Sequence, residues 1–427
     1  MIQIVRKLTD KIHSNDFLQA HRKNSVDFTR NRTLTFPRLV SFMLNAINGS
    51  IQSELSRFFQ VLDDSPVSLV TVSTAAFCKA RKKLSHTAFK DLNNTLVDTF
   101  HKSASVQRWH GLRVLAVDGS VTQLPKSEIL LEHFGKARKK SFRPAVRMSQ
   151  LYDVKNKITI DLEIGSHSTG ERNMALKHLK YANKGDVIVY DRGYPAVWFF
   201  KHHLANEIDF CSRATLDSSN KIKEFIASGS ISEVSEFPCI EKSLQRCRKD
   251  GLSTDSVKLR LVRVDLPSGT KEILITSLID EEVYPSHIFA ELYHQRWGIE
   301  EDYKVMKSRL NIENFSGMSV EAILQDIHAK TLTKNLASIA IFEAEKIANL
   351  TSNKRKHKYK INVHHALSQI KDNIVRFMMK TSIEGLSQLM INKISQVTNA
   401  YRENRKCDRS EKRMSKNKYP TAYKRLC

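Results

Sequence analysis

Residues 113–120 read RVLAVDGS, a short apolar run that ends in an aspartate and a glycine. Residues 187–194 have the same pattern and read VIVYDRGY. Near-continuous apolar runs of this length are typical of central strands that are buried on both faces of a sheet. The sequence therefore predicts two buried strands, at 113–117 and 187–190, with Asp118 and Asp191 at their carboxyl ends.

The segments around these two strands alternate between strand patterns and helix patterns. We predict a hairpin at 145–154 and 157–164, helices at 172–182 and 196–206, and a strand at 208–212. The resulting order, β-β-β-α-β-α-β, indicates an α/β fold with a mixed sheet flanked by helices. Residues 213–286 form a separate strand-rich stretch, with strands expected at 257–264 and 273–278.

Both ends of the chain have the apolar spacing of helices. In the N-terminal part, we predict helices at 36–60 and 74–100, with the basic run KARKK (79–83) exposed. A helix-turn-helix-like DNA reader is one interpretation of this part, although the spacing does not identify a recognition helix. In the C-terminal part, helices are expected at 320–350, 363–379 and 383–401. The predicted domains are a helical DNA-binding domain (1–108), a catalytic domain (109–318), a helical domain (319–401) and a basic tail (402–427).

The net charge of +24 predicts a polyanionic partner. Lys and Arg are concentrated at 79–83, 136–147, 354–360 and 402–425. The sequence has no long apolar span and no signal-peptide pattern, and its basic runs lack the apolar face of a membrane-surface helix. Nucleic acid is therefore the expected partner, and no membrane association is expected. The six cysteines are scattered without a CxxC pair, which fits a reducing cytoplasm.

A second informative stretch, residues 293–307, reads YHQRWGIEEDYKVMK. In a helix, Tyr293, Arg296, Glu300, Lys304 and Lys307 fall on one stripe about 80° wide. This face presents one carboxylate among a phenol, a guanidinium and two ammonium groups. Such a face could simply be solvated, as charged helix faces usually are. It would also suit a metal ion next to a phosphate.

Three acids could meet in this fold. Asp118 and Asp191 follow adjacent buried strands, and Glu300 lies on a helix that could pack beside them. Clustered carboxylates repel one another and need cations to stay ionised. Hard oxygen ligands favour Mg²⁺ or Mn²⁺, and two such ions can activate an attacking oxygen and stabilise a leaving one at phosphorus. Taken singly, each aspartate could equally be an ordinary turn residue.

The spacing Tyr293, Arg296, Glu300 and Lys307 resembles the Tyr-x2-Arg-x3-Glu-x6-Lys motif of bacterial insertion-sequence transposases of the DDE class, in the insertion-sequence-four family. Three short segments are also similar to sequences of that family: VDGS at 117–120, VYDRGY at 189–194 and GERNMA at 170–175. The resemblance extends from about residue 25 to the C-terminus and is densest at 111–200 and 285–318.

The resemblance implies a ribonuclease-H-like core with a β-rich insertion at about 213–286. It assigns Asp118, Asp191 and Glu300 as catalytic metal ligands for two Mg²⁺ ions. Tyr293, Arg296, Lys304 and Lys307 become DNA and phosphate contacts.

It also implies cut-and-paste transposition: cleavage at the element's ends, a hairpin intermediate and strand transfer. The DNA partners are terminal inverted repeats and target DNA, bound by a homodimer. Some members stack a flipped base on an aromatic residue of the insertion, where this chain offers Phe225, Phe237 and Tyr284. Trp198 and Trp297 are expected to be packing residues.

Two other interpretations remain open from the sequence. The first keeps the fold and makes the chain a DNA nuclease or a host-adopted DNA-binding protein that does not transpose. The second is a purely architectural basic protein. The three intact acids argue against an inactive enzyme.

Overall fold

The computed structural model describes residues 1–45, 47–68, 71–103, 106–137, 143–266, 269–352, 358–379 and 383–401. The basic tail at 402–427 and parts of the basic runs at 136–147 and 354–360 lie outside this range. The fold is mixed α/β. The chain divides into two compact units, one formed by Met1–Ser105, Thr122–Val146 and Lys304–Cys427, and the other by Val106–Val121 and Arg147–Tyr303.

The helices and strands are numbered along the chain. The helices are α1 (Ile2–His13), α2 (Asn15–His21), α3 (Phe36–Leu44), α4 (Ile51–Asp63), α5 (Thr74–Arg81), α6 (Thr87–Ser103), α7 (Glu128–Phe134), α8 (Glu171–His178), α9 (Val197–Ala205), α10 (Asn220–Ser228), α11 (Glu241–Lys249), α12 (Phe289–Gln295), α13 (Trp297–Ser308), α14 (Val320–Ser352), α15 (Val363–Met379) and α16 (Ile383–Gln396). The strands are β1 (Arg113–Gln123), β2 (Ala145–Asp153), β3 (Ile158–Ser166), β4 (Asp186–Tyr190), β5 (Asp209–Arg213), β6 (Ser232–Phe237), β7 (Val257–Asp265), β8 (Lys271–Thr276), β9 (Lys358–Ile361) and β10 (Thr398–Tyr401).

Eight of the strands form one mixed sheet in the order β3-β2-β1-β4-β5-β8-β7-β6. Strands β1, β4 and β5 are parallel, and β8, β7 and β6 continue from β5 in antiparallel pairs. The two predicted apolar runs lie on neighbouring strands in the middle of this sheet, and β4 is buried throughout. The prediction of a mixed sheet built around them is confirmed.

A buried ion pair fixes how β1 and β4 are aligned. Arg113 is the register partner of Asp186, at the first residue of each strand. The Arg113 guanidinium donates to both carboxylate oxygens of Asp186, at 2.8 and 2.5 Å. The paired register continues to Ala116 and Val189, and Asp118 and Asp191 each follow two residues later, so the two acids emerge at the same edge of the sheet.

The first strand is longer than predicted. It runs to Gln123, so Asp118 lies inside β1 and not at its end. The Asp-Gly pair does not form a turn, because the Asp118 carboxylate accepts a hydrogen bond from the N–H of Gly119 at 2.8 Å while the strand continues. The helix α7, between β1 and β2, was also absent from the predicted order.

The predicted separate stretch at 213–286 belongs to the same sheet. Its three strands, β6, β7 and β8, extend the sheet beyond β5. It also contains two helices that the sequence did not predict, α10 and α11, each of nine residues. Their buried side chains are few, namely Ile222 and Phe225 on α10 and Cys247 on α11, so neither helix has a long periodic pattern.

The helical predictions at the chain ends need four corrections. The segment 36–60 is two helices, α3 and α4, and 74–100 is also two, α5 and α6. Within KARKK, Lys79, Lys82 and Lys83 are exposed, but Arg81 is buried, with a 2.9 Å ion pair to Asp326. The last predicted helix ends at Gln396, after which β10 pairs with β9. No helix in the described part of the chain is long and apolar enough to cross a membrane.

The ion pair between Arg113 and Asp186 predicts a large loss of stability in Asp186→Asn. Removing one partner leaves a buried charge uncompensated, which costs about 3–5 kcal/mol. We expect the apparent melting temperature to fall by roughly 5–15 °C. The control is Glu207→Gln, which removes an exposed ion pair with Lys184 and should change the melting temperature little. Equal melting of the two variants would contradict the role of the buried pair.

Candidate active site

Asp118 lies in a partly buried position on β1. Its side chain is held by Gly119, and its backbone carbonyl accepts a 3.0 Å hydrogen bond from the hydroxyl of Tyr303. Burial raises the pKa of Asp118 to about 6. The N–H of Gly119 and the Arg296 cation oppose this rise, whereas the charges of Glu300 and Asp191 add to it. Asp118 is therefore close enough to both other predicted acids to be affected by their charges.

Asp191 follows β4 and is surrounded by hydrogen-bond donors. Its carboxylate accepts hydrogen bonds from the N–H of Arg192 at 2.7 Å and from the hydroxyl of Tyr293 at 3.3 Å, and it forms a 2.9 Å ion pair with Arg213. Burial would raise the pKa of Asp191, but these donors, together with the Arg296 charge, hold it below its ordinary value. Asp191 is thus an ionised carboxylate in the free protein at neutral pH.

Glu300 lies on α13 and pairs with Arg296. The Arg296 guanidinium is largely buried and donates to the Glu300 carboxylate at 2.7 Å. Arg296 and Arg213 both lie over the ring of Tyr293, at 5.8 and 5.9 Å from its centroid. Two guanidinium groups therefore lie on the Tyr293 ring, and each of them pairs with one of the predicted acids.

The predicted single helix at 293–307 is divided into α12 and α13 at Arg296. Around Arg296 the hydrogen bonds span three residues, from the N–H of Arg296 to Tyr293 and from the N–H of Ile299 to Arg296, both at 3.1 Å. This tighter turn interrupts the regular α-helical pattern, yet it keeps Tyr293, Arg296 and Glu300 close together.

Several other side chains of this helix are exposed. Lys304 and Lys307 follow Glu300 by one and two turns and are exposed. Glu301 is exposed and accepts from the indole N–H of Trp297 at 3.1 Å. Trp297 is 42% exposed, so it is not a core residue, although its ring is tied to Glu301 on its own helix. Two of the three aromatic candidates for base stacking, Phe225 and Phe237, belong to the core and present no open ring face.

Arg213 is the site residue that the sequence analysis missed. It is the last residue of β5, beside β4, and also pairs with Glu272 at 2.6 Å. One available signal was its position. Like Asp191, it lies at the carboxyl end of a strand parallel to β1, and such ends meet at one edge of a sheet.

The donor set fits a hard divalent cation in its chemistry, since it consists of three carboxylates, two of which act electrostatically on the third, Asp118. In the described part of the chain, no three His, Cys, Asp or Glu side chains are close enough together to hold one metal ion. Asp191 and Glu300 each form an ion pair with an arginine instead.

The family model described as "Transposase DDE domain" matches residues 109–336, more than half of the chain. The chain belongs to the DDE transposase family. The resemblance drawn from Tyr293, Arg296, Glu300 and Lys307 is thus confirmed at the level of the family.

A curated relative in this family is the transposase InsG for insertion sequence element IS4 of Escherichia coli (strain K12). It is 22% identical over 272 residues. The match covers 62% of this chain and 60% of the relative, so the chain spans about 60% of that protein's length. Among solved structures, the piggyBac transposase synaptic complex with hairpin DNA aligns with 91% of this chain and 84% of its own, at 11% identity and a TM-score of 0.47.

The raised pKa of Asp118 predicts that Asp118→Asn is more stable than the wild type at neutral pH in EDTA. A folded-state pKa near 6, above the ordinary 3.8, means that the wild type loses stability as the pH rises from about 4 to 6. Asparagine does not ionise and avoids this loss, which is at most about 3 kcal/mol. Melting temperatures from pH 4 to 8 should therefore diverge with rising pH. The control is Asp98→Asn, which replaces an exposed aspartate. If the melting temperatures of the wild type and Asp118→Asn changed with pH in parallel, the prediction would be contradicted.

Proposed function

We propose that this chain is a DNA transposase that moves an insertion sequence by cut-and-paste phosphoryl transfer. The observation that carries the proposal is the placement of Asp118 on β1 and of Asp191 directly after the neighbouring parallel strand β4, with the charge of Glu300 acting on Asp118, in a chain of the DDE family. The name of the relative InsG, a transposase for an insertion sequence, favours the same activity.

Asp118, Asp191 and Glu300 are the proposed ligands of two Mg²⁺ ions, for which Mn²⁺ would substitute. When bound, such ions activate an attacking oxygen and stabilise the leaving oxygen at phosphorus. In the free protein, Arg213 forms an ion pair with Asp191, and Arg296 forms one with Glu300. In the loaded site, these guanidinium groups would be available for the phosphates of DNA, to which they can donate two hydrogen bonds each.

The proposed core is ribonuclease-H-like. Its support is the five-strand part of the sheet, β3-β2-β1-β4-β5, in which β1, β4 and β5 are parallel. The domain bounds proposed from the sequence remain 1–108, 109–318, 319–401 and 402–427. The DNA partners would be terminal inverted repeats and target DNA, bound by a homodimer that brings two ends together.

DNA binding would use two groups of residues, most of them cationic. Tyr293, Arg296, Lys304 and Lys307 would contact the backbone near the reacting phosphate. The exposed lysines 79, 82 and 83 would contact duplex DNA beside α5, in the proposed N-terminal DNA-binding domain. The net charge of +24 would add long-range attraction.

The catalytic assignment is tested by nicking of a supercoiled plasmid that carries the element's ends, in Mg²⁺. We expect Asp118→Asn, Asp191→Asn and Glu300→Gln each to lower the nicking rate by at least about 100-fold, because each removes a charged ligand. The matched control is Glu301→Gln on the same helix, which should nick like the wild type. Equal nicking by Asp118→Asn and the wild type would overturn the assignment.

The same reaction separates transposase from nuclease. A transposase yields excised element and joined products that carry a short target duplication, which sequencing of the junctions detects. Nicking without any joined product would favour a nuclease, and sequence-independent binding without nicking would favour an architectural protein.

The exposed lysines beside α5 predict a specific salt dependence of DNA binding. The double variant Lys79→Ala, Lys82→Ala should bind duplex DNA more weakly, and the slope of log K against log salt should fall by about 0.9 for each phosphate that a lysine no longer neutralises. Arg81→Ala is the contrasting variant, since this buried arginine pairs with Asp326 and should lower thermal stability instead. An unchanged slope in the double variant would exclude this surface from DNA binding.

A further inference from the structure

Tyr194, in the DRGY segment after β4, is fixed next to Asp191, whose backbone carbonyl accepts a 3.1 Å hydrogen bond from the Tyr194 N–H. The residue is 2% exposed, and its ring packs against Tyr190 and Phe199, at centroid distances of 5.0 and 6.0 Å. Its backbone carbonyl accepts a 3.0 Å hydrogen bond from Arg172 on α8. Both the ring and the backbone of Tyr194 are therefore held in place.

Negative charges surround the hydroxyl. Burial raises the pKa of Tyr194, and so do the charges of Asp118, Glu171 and Asp191, against the opposing Arg147 cation. The phenol is thus neutral at physiological pH and keeps its proton for donation.

This hydroxyl is buried, and it has no hydrogen-bond partner among the described residues. The neighbouring tyrosines differ in this respect. Tyr190 hydrogen bonds to His203 at 3.0 Å, Tyr293 donates to Asp191 at 3.3 Å, and Tyr303 donates to the carbonyl of Asp118 at 3.0 Å. A buried polar group without a partner destabilises a fold. Phenylalanine at position 194 would therefore give a more stable fold than tyrosine does.

We propose that Tyr194 is a positioning residue whose hydroxyl donates a hydrogen bond to the Asp118 carboxylate when the site takes up divalent cation. This inference rests on the proposed function of the site. A carboxylate that binds a cation through one oxygen needs a donor for its remaining lone pairs, and such supporting donors fix its orientation. In the free protein this donor is buried, and the charges of Asp118 and Asp191 reach it.

The test compares Tyr194→Phe with Tyr190→Phe, two variants that each lose only a buried hydroxyl. Three quantities are measured: the apparent melting temperature in EDTA, Mn²⁺ affinity from the electron paramagnetic resonance signal of free Mn²⁺, and plasmid nicking. We expect Tyr194→Phe to melt at or above the wild-type temperature, because its hydroxyl has no partner to lose. Its Mn²⁺ affinity and nicking rate should fall about 10- to 100-fold, as for other supporting groups of metal sites.

Tyr190→Phe should show the opposite pattern, because its hydroxyl bonds to the buried His203. We expect a lower melting temperature and wild-type Mn²⁺ affinity. The inference is overturned if Tyr194→Phe melts lower than the wild type or fails to fold, or if it binds Mn²⁺ like the wild type.

Asp118→Asn separates this inference from the function it rests on. If the wild type binds Mn²⁺ in a way that requires Asp118 but does not cleave DNA, the transposase proposal fails, and Tyr194 is judged by affinity alone. If Asp118→Asn binds Mn²⁺ like the wild type, the metal assignment and the role of Tyr194 fail together.

Discussion

The bidentate ion pair between Arg113 and Asp186 is the contact on which the geometry of the site depends. It joins the first residues of two parallel central strands. A slip of one residue between these strands would separate a buried charge from its partner, which is far more costly than a weakened apolar contact. The pair therefore fixes the register, and the register brings Asp118 and Asp191 to the same edge of the sheet five residues further along.

Placing three acids together creates repulsion that the fold offsets with arginines. Arg213 forms an ion pair with Asp191, and Arg296 forms one with Glu300. No salt bridge to Asp118 is seen among the described residues; it is more buried, and its pKa is raised to about 6. The site of the free protein is therefore a balanced cluster of charges in which one carboxylate and one tyrosine hydroxyl are stabilised poorly. Such local cost is typical of functional sites, where groups are arranged for a ligand more than for the stability of the free protein.

Much of this site could be predicted from particular residues. The apolar runs before Asp118 and Asp191 indicated buried strands because continuous apolar sequence suits a strand covered on both faces. The prediction that Tyr293, Arg296 and Glu300 lie close together holds despite the break between α12 and α13, because the tighter turn at Arg296 rotates the following helix only slightly. The strands of 213–286 were largely foreseen, but their membership of the main sheet was not, since pairing between distant strands leaves no local pattern.

The sequence by itself determined the central strands, the three acids and the basic character of the chain, because apolar runs, residue types and charge are local properties. The tertiary structure decided which cations face which acids. Arg213, Arg296 and Arg81 look alike in sequence, yet the first two pair with acids of the candidate site and the third is a buried partner of Asp326. It also decided that, among the residues that the structure describes, the Tyr190 hydroxyl has a hydrogen-bond partner and the Tyr194 hydroxyl does not. These differences arise from contacts between residues far apart in the chain, and only the folded geometry specifies them.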